Sequence, residues 1–435
     1  MRVGVYSEVE PLKHVIVHRP GPEIVRMTQF ELDRLLFDDI LAPDLAGQEH
    51  DVMCEILASE GAEVDDIADL LRAALAKAGE QHVRDLVERV ADRAAQPGLA
   101  PLLADMGADE LAKALVQGLT WEQVADAPLT LARLRQTFDG IDSMALPPVP
   151  NLLFTRDPCI AVQDRVVVGR MATDARARES LIVRFALTHG GEQPAPLLHA
   201  APDWDRHPAL RSLEGGDLLV ISPEVVLVGC SERTSAQTIE HIANTELFPA
   251  FPRLQRVYAV FMPALRSVMH LDTVLTQIDE TLFLGFAPMI AQGEGVAVVR
   301  LERGVVPRLE QDATVLDVLR RELGDEVQLV PCGGAGDVRF QQREQWTDGA
   351  NAVCLGPGRI LLYSRNVRTL RTLRDDFGFE PVALTASVHP GVRSDALRKA
   401  RSHDRVVYTF DGSELSRARG GARCMTMPLL RGDPA

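Results

Sequence analysis

The chain has 435 residues, of which 46% are hydrophobic and 25% charged, so it contains ample apolar material for a folded core. A formal net charge of −16 argues against nucleic acid as the main partner, because no basic excess is available to displace the counterions of phosphates. No apolar run reaches the roughly 18 residues of a membrane span, and residues 1–8 do not resemble a signal peptide. The six cysteines are scattered without a CxxC pair, which predicts a reduced, cytoplasmic protein.

Residues 1–67 alternate between strand and helix patterns. Residues 13–18 predict a strand, and residues 28–39 predict a helical patch with acidic side chains. Apolar residues at helical spacing predict an amphipathic helix over 50–62, followed by a strand over 63–67.

Residues 68–138 have a different composition, rich in Ala, Leu, Glu and Arg, with apolar residues three or four positions apart. Pro and Gly divide this stretch into several short helices, and it ends at the proline-rich residues 146–150. We therefore expect a helical domain at 68–146, inserted into an α/β catalytic domain formed by 1–67 and 147–435.

A hairpin pattern then recurs four times. Asp157, Asp217, Asp272 and Asn351 each precede a strand, a turn and a second strand. The second strand ends twelve or thirteen residues after that Asp or Asn, at 169, 229, 285 and 363. Such recurrence predicts pseudo-symmetric repeats around one core. The ends of the hairpins that carry the Asp or Asn, here called their mouths, would then meet at one site. The simpler interpretation is that Asp and Asn favour strand ends and turns.

Several carboxylates lie near the mouths of these hairpins, and a positively charged ligand is needed between them. Asp157, Glu214, Asp217 and Asp272 would repel one another if they met without a cation between them. His270 is the only histidine at the mouths, which argues against a zinc or di-iron site. A planar guanidinium is the better guest because its N–H donors pair with carboxylates in bidentate geometry.

A cysteine near the end of the chain is a candidate nucleophile. Cys424 is preceded by Arg417, Arg419 and Arg423, and cationic neighbours lower a thiol's pKa by stabilising the thiolate. A thiolate facing a carboxylate-bound guanidinium can attack its central carbon, with His270 transferring the proton. The alternative is that Cys424 is a small buried core residue.

Five motifs in this order resemble those of the arginine deiminase family. They are Asn-Leu-Leu-Phe-Thr-Arg-Asp at 151–157, Glu-Gly-Gly-Asp at 214–217, Ser-Glu-Arg-Thr at 231–234, Met-His-Leu-Asp-Thr-Val at 269–274 and Arg-Gly-Gly-Ala-Arg-Cys at 419–424. The resemblance implies the guanidino-group-modifying, or pentein, fold: a five-bladed pseudo-symmetric α/β propeller of ββαβ modules, here with an inserted α-helical bundle. It also implies hydrolysis of L-arginine to L-citrulline and ammonia in arginine catabolism, without a metal or cofactor, by a homo-oligomer, either a dimer or a tetramer.

The resemblance assigns a role to each matching residue. Cys424 would form a covalent amidino (thiouronium) intermediate, with His270 as general acid and then base. Asp157 and Asp272 would hold the guanidinium, and Glu214 would support His270 and that side of the site. The remaining residues implied for substrate binding or backbone support are Asn151, Arg176 and Arg233 at the α-carboxylate, Phe154 at the substrate chain, Arg419 on a loop near the nucleophile, and Asp217 behind the site.

Three positions depart from the family pattern, and two rival functions stay open. Ala418 and Ala422 replace an expected glycine and proline in the loop of Arg419, which bears on substrate closure, and Leu275 replaces a phenylalanine in packing. An amidinotransferase would pass the amidino group to an amine instead of water. A non-catalytic arginine-binding protein would need no nucleophile.

Overall fold

The computed structural model describes residues 1–124, 131, 144–198 and 211–432. The strands within these residues are β1 (Leu12–Val17), β2 (Glu63–Asp66), β3 (Leu119–Thr120), β4 (Met144–Leu146), β5 (Cys159–Val162), β6 (Arg165–Val168), β7 (Leu197–Leu198), β8 (Leu218–Ser222), β9 (Val225–Cys230), β10 (Arg256–Phe261), β11 (Leu275–Gln277), β12 (Leu282–Gly285), β13 (Ala297–Glu302), β14 (Arg308–Leu309), β15 (Gln328–Pro331), β16 (Val353–Gly356), β17 (Arg359–Tyr363), β18 (Glu380–Leu384), β19 (Val406–Phe410) and β20 (Met427–Arg431). The longer α-helices are Pro22–Val25, Leu32–Leu35, Pro43–Ser59, Ile67–Lys77, Glu80–Arg93, Ala100–Ala104, Ala108–Gln117, Glu179–His189, Ala236–Ile242, Ala287–Ile290, Val315–Leu323, Val338–Trp346, Val367–Phe377 and Pro390–Ala400.

Five sheets in the described chain share one pairing pattern. In four of them an antiparallel hairpin is extended by a strand parallel to its second member: β5–β6–β7, β8–β9–β10, β11–β12–β15 and β16–β17–β19. The fifth combines the two ends of the chain, because β20 lies antiparallel to β1 and β2 lies parallel to it. The four predicted hairpins are therefore confirmed, and the same arrangement appears a fifth time without a continuous hairpin.

The predicted helices near the N-terminus are partly wrong in extent. The helix predicted from residue 50 begins at Pro43, whose fixed backbone angle suits the first helical turn and which the apolar spacing alone did not reveal. The helical patch over 28–39 reduces to a 3-10 turn and the short helix Leu32–Leu35. Leu36 ends that helix in the left-handed region at φ 66°.

The helical segment after residue 67 packs into the same core as the neighbouring sheets. Its helices lie at Ile67–Lys77, Glu80–Arg93, Ala100–Ala104 and Ala108–Gln117, while 125–130 and 132–143 of the predicted domain lie outside the described residues. One continuous apolar cluster joins Leu71 and Leu115 of these helices to Val166 and Val226 of the strands. Among the described helices, none combines the length and apolarity that crossing a membrane requires.

Candidate active site

The predicted convergence of the hairpin mouths is found in the structure. Asp217 accepts a hydrogen bond on Oδ1 from the backbone N–H of Leu271 at 2.9 Å, which joins the second mouth to the third. Asn351 donates from Nδ2 to the backbone carbonyl of Asp272 at 3.0 Å, which joins the fourth mouth to the third. Short 3-10 turns, such as Gly215–Asp217, bring the backbones this close together.

A pocket opens where these mouths meet. It encloses about 380 Å³ of space free of protein atoms, part of it open to solvent. Its lining residues are Leu36, Asn151, Phe154, Asp157, Arg176, Arg233, Met269, His270, Thr273, Ala418, Arg419 and Cys424. Most of the site residues expected from the sequence are in this lining. The exceptions are Glu214, Asp217 and Asp272, which lie buried behind the pocket lining. They hydrogen-bond to lining residues or to the backbone beside them, or lie close to them.

A buried ion pair joins His270 to Glu214. The Nε2 atom of His270 lies 2.8 Å from Oε2 of Glu214, and Nδ1 lies 3.8 Å from Oδ1 of Asp157. Burial opposes the charged imidazolium, but Asp157 and the hydrogen bond to Glu214 raise the pKa of His270 to about 9. Burial likewise opposes the carboxylate, and the bond to His270 lowers the pKa of Glu214 to about 2. At neutral pH the histidine therefore carries a proton and is suited to act as an acid.

Arg176 is held between two carboxylates. Its Nη1 donates to Oδ2 of Asp157 at 2.6 Å, and its Nε and Nη2 donate to Glu179, which no sequence motif singled out. The only signal for Glu179 is its position three residues after Arg176, at the start of the following helix. The side chains of Asp157, Glu214 and His270 are close enough to share a metal ion. Arg176 supplies a positive charge to the same carboxylates, with its Nη1 2.6 Å from Asp157 and 3.8 Å from Glu214.

The sulfur of Cys424 faces a carboxylate rather than an arginine. Its Sγ lies 3.9 Å from Oδ2 of Asp272, and its backbone N–H donates to Oδ1 of Asn351 at 3.2 Å. Burial, followed by the charges of Asp272 and Asp157, raises the pKa of the Cys424 thiol well above its ordinary value. The thiol is therefore protonated at neutral pH in the free protein.

The prediction that neighbouring arginines lower this pKa is wrong, because each arginine is paired elsewhere. Arg417 binds Asp39 near the surface at 2.6 Å. Arg423 donates to Asp272 at 2.7 Å. Arg419 lies over an aromatic ring, with its guanidinium carbon 3.8 Å from the ring centroid of Trp346.

The loop that carries Arg419 is tightly packed. Arg419 adopts φ 70°, an uncommon conformation for a residue with a side chain, and donates to the backbone carbonyls of Trp346 and Ser267. Gly420 lies so close to Phe154 that an added Cβ would meet the ring at 2.3 Å. Tyr363 donates to the Gly420 carbonyl at 2.8 Å. The loop is thus fixed against the pocket wall in this structure.

Arg233 and Asn151, which the family resemblance implies for binding the substrate's α-carboxylate, differ in how many hydrogen-bond donors they have left for a ligand. Arg233 is buried, lies 4.0 Å from Glu214, and has no hydrogen-bond partner for Nε among the described residues. Asn151 already donates its amide to the carbonyl of Leu35 at 2.5 Å. Arg233 therefore has donor capacity left for a ligand, whereas Asn151 has little.

Asp348 is a buried carboxylate near the pocket that no sequence motif indicated. Its Oδ1 lies 3.8 Å from Nη1 of Arg419, and burial raises its pKa to about 6. It adopts φ 61°, which an aspartate tolerates better than most residues. Its sequence context, Thr-Asp-Gly, is that of an ordinary turn, so no signal distinguished it.

Comparisons with known proteins agree with this arrangement. A profile of the arginine deiminase family matches residues 33–431. A relative described as arginine deiminase, from Borrelia duttonii, is 32% identical over 441 residues, covering 99% of this chain and 98% of the relative. Another of the same description, from Listeria welshimeri, is 34% identical over 440 residues with the same coverage. A solved structure described as SxtG, an amidinotransferase from Microseira wollei in the saxitoxin biosynthetic pathway, covers 100% of this chain and 99% of its own, with a TM-score of 0.52 and 13% identity.

The comparisons define the protein at two levels, first by its fold and then by its family. The structural likeness, at 13% identity, shows an α/β fold shared with this amidinotransferase. The sequence matches extend over nearly the whole chain and are more specific than the fold. The chain belongs to the arginine deiminase family.

Proposed function

We propose that this protein hydrolyses L-arginine to L-citrulline and ammonia, with Cys424 as the nucleophile. The observation that carries the proposal is the position of its thiol, 3.9 Å from Asp272 in a pocket that also holds the His270–Glu214 ion pair. A thiol, a charged imidazole and buried carboxylates in one pocket suit nucleophilic attack on a cationic carbon. The curated relatives that cover this chain are described as arginine deiminases.

The charges in the pocket favour a guanidinium as the reacting group. Asp272 is fully buried, and its Oδ1 has no hydrogen-bond partner among the described residues. A buried carboxylate oxygen without a donor is costly, so a ligand that supplies N–H groups there gains that energy on binding. With Asp157 on the lining, the two carboxylates would hold the planar guanidinium from its donor edges.

The other end of the pocket suits the substrate's α-carboxylate. Arg233 would bind it, since its Nε has no hydrogen bond among the described residues and only an ion-pair contact of 3.6 Å with Glu232. Arg176 and Asn151 would complete that side after giving up one of their present hydrogen bonds. Phe154 would pack against the aliphatic chain, and Arg419 would contribute from its loop. Behind the site, the carboxylate of residue 217 would hold the backbone that follows the histidine.

Binding of the cationic substrate would lower the pKa of the Cys424 thiol. The carboxylates that raise the pKa of Cys424 would be neutralised by the bound guanidinium, so the thiol passes its proton to solvent water as the substrate enters. The thiolate attacks the guanidinium carbon, and ammonia leaves with the proton of His270. The neutral imidazole then takes a proton from water, and the resulting hydroxide hydrolyses the thiouronium to citrulline and free thiol.

The larger architecture follows from the same family membership. The five sheets of one pairing pattern support the five-bladed propeller, with residues 1–67 and 147–435 as catalytic domain and 68–146 as helical insertion. The six free cysteines support a reducing, cytoplasmic location. A dimer or tetramer stays a prediction from the family resemblance.

The proposal is tested by incubating the purified protein with millimolar L-arginine and measuring citrulline and ammonia together. We expect both products in equal amounts with no added amine. Release of ornithine that depends on an amine acceptor would instead identify an amidinotransferase. A Cys424→Ser variant should bind arginine but make no citrulline, and turnover by that variant at the wild-type rate would exclude covalent catalysis through this thiol.

A further inference from the structure

The two oxygens of Asp272 have different surroundings. Oδ2 accepts a hydrogen bond from Nη1 of Arg423 at 2.7 Å and lies 3.9 Å from Sγ of Cys424. Oδ1 has no hydrogen-bond partner within the described chain, although the whole side chain is buried. One oxygen is therefore fixed by the protein and the other is left for a ligand.

Arg423 is held rigidly behind this carboxylate. It is 2% exposed, and its Nη2 donates to Oε1 of Glu8 at 3.1 Å and to the carbonyl of Leu218 at 3.2 Å. Its backbone N–H donates to Oδ1 of Asn351 at 3.1 Å, the same oxygen that accepts from the next residue. The residue that precedes the proposed nucleophile is thus fixed through both its side chain and its backbone.

Glu8 balances the charge of Arg423 from the other side. It is buried, and its Oε1 also accepts from the backbone N–H of Val220 at 3.3 Å. Burial opposes its charge, but Arg423 and Arg156 lower the pKa of Glu8 to about 2, so it is ionised at neutral pH. A carboxylate, a guanidinium and a second carboxylate therefore form one buried chain that ends at the pocket.

We propose that Glu8 and Arg423 are a positioning pair that fixes Oδ2 of Asp272 and keeps its Oδ1 charged and aimed at the substrate guanidinium. The inference rests on the proposed function, since it names the device that prepares that site. Neither residue is among those that line the pocket, so both act through Asp272.

The charged and titratable groups around Asp272 determine what the loss of Arg423 would do. They are Arg423, His270, Asp157, Arg156, Cys424 and Asp348. Burial already raises the pKa of Asp272, and Arg423 is the foremost group that lowers it. Without Arg423 the carboxyl takes up a proton at a higher pH, and a neutral carboxyl no longer attracts a guanidinium.

The test is the pH dependence of arginine binding, measured calorimetrically in a Cys424→Ser background so that no turnover occurs. Arg423→Gln is compared with Arg431→Gln, which removes an equally buried arginine whose charge also reaches Glu8 but whose hydrogen bonds go to the backbone carbonyls of Glu10 and Cys354 instead of to Asp272. Because protonation of one group would block binding, Kd for Arg423→Gln should rise about tenfold per unit as pH falls below the new pKa. Two pH units below that pKa the loss should therefore reach about 100-fold. The control should follow the background in parallel.

A pH profile of Arg423→Gln that runs parallel to the background would refute the positioning pair, whatever its effect on stability. If Arg423→Gln does not fold, Glu8→Gln is read in the same assay. It should move the profile the opposite way, toward lower pH, because it removes an anion and leaves the charge of Arg423 for Asp272. A parallel profile would again refute the pair. The deiminase proposal is judged separately: if the wild type produces citrulline while the profiles stay parallel, only the positioning pair fails.

Discussion

Glu214→Gln is the substitution whose effect can be worked out most fully from the structure. Oε2 of Glu214 lies 2.8 Å from Nε2 of His270, and the pair is buried. The pKa of His270 is raised from its ordinary 6.5 to about 9. At about 1.4 kcal/mol per pKa unit, this environment favours the imidazolium by about 3 kcal/mol. Carboxylates must supply that preference, since burial alone acts in the opposite direction.

The substitution keeps the shape of the side chain and removes its charge. Asp157 would remain 3.8 Å from the ring, but the closest counter-charge of the imidazolium would be gone. We therefore expect the pKa of His270 to fall from about 9 toward its ordinary 6.5, with Asp157 and Asp217 still opposing the effect of burial. If His270 must donate a proton to the leaving ammonia, the alkaline limb of kcat/KM, which reports the free protein, should move from near pH 9 toward neutral pH.

Two measurements check this expectation. The pH profile of kcat/KM for citrulline formation reports the alkaline limb, and NMR titration of the His270 ring in the free protein reports its protonation directly. Glu322→Gln is a suitable control, because Glu322 is bonded to Tyr258 at 2.6 Å and to Arg256, away from the pocket lining. An alkaline limb that stays near pH 9 in Glu214→Gln would refute the assignment of both the ion pair and the acid.

The same ion pair gives stability a defined pH window. The raised pKa of His270 means that its contribution is complete below pH 6.5 and is lost as pH rises through about 9. The lowered pKa of Glu214 means that its contribution is present above pH 4.5 and is lost as pH falls through about 2. The free energy of unfolding should therefore fall less across these limits in Glu214→Gln than in the wild type, as urea titrations would show.

Two further expectations concern the loop and the nucleophile. Gly420→Ala should raise KM and cost about 1–3 kcal/mol of stability, because the new methyl group meets the Phe154 ring. Gly356→Ala is the control and should leave KM unchanged, because the nearest atom to its added Cβ lies 3.8 Å away. Calorimetry and arginine titrations decide this, and an unchanged KM for Gly420→Ala would contradict the packing argument. The Cys424 thiol should show no ultraviolet thiolate absorbance at neutral pH in the free protein, because burial and Asp272 raise its pKa. A thiolate absorbance that disappears in Cys424→Ser would contradict this.

Much of the fold was predictable because local patterns specify it. Each hairpin consists of an Asp or Asn, a strand, a turn and a second strand that follow one another directly in the sequence. Asp157 and Asp217 could therefore be located before the residues that they contact were known. The fifth unit could not be found in this way, because its antiparallel strands, β20 and β1, lie far apart in the chain. Long-range pairing leaves no periodic signal in either segment alone.

The composition of the site was more predictable than its electrostatics. Residue types and order indicated the thiol, the histidine and the carboxylates. The sign of the pKa shift at Cys424 depends on which group each arginine binds, and Arg423 donates to Asp272. Sequence proximity was therefore misleading, because successive side chains leave an extended or turning backbone in different directions.

The pairing of β1 with β20 has a consequence for the order in which the protein acquires activity. During synthesis the first strand emerges long before its antiparallel partner, and Leu12 must wait for Arg431 to complete the sheet. The contact between Glu8 and Arg423 and the placement of Cys424 form at the same late stage. A nascent chain therefore receives Arg423, the partner of Asp272, and Cys424, the proposed nucleophile, after all the other proposed site residues, so the proposed site is complete only once the last strand can pair with β1.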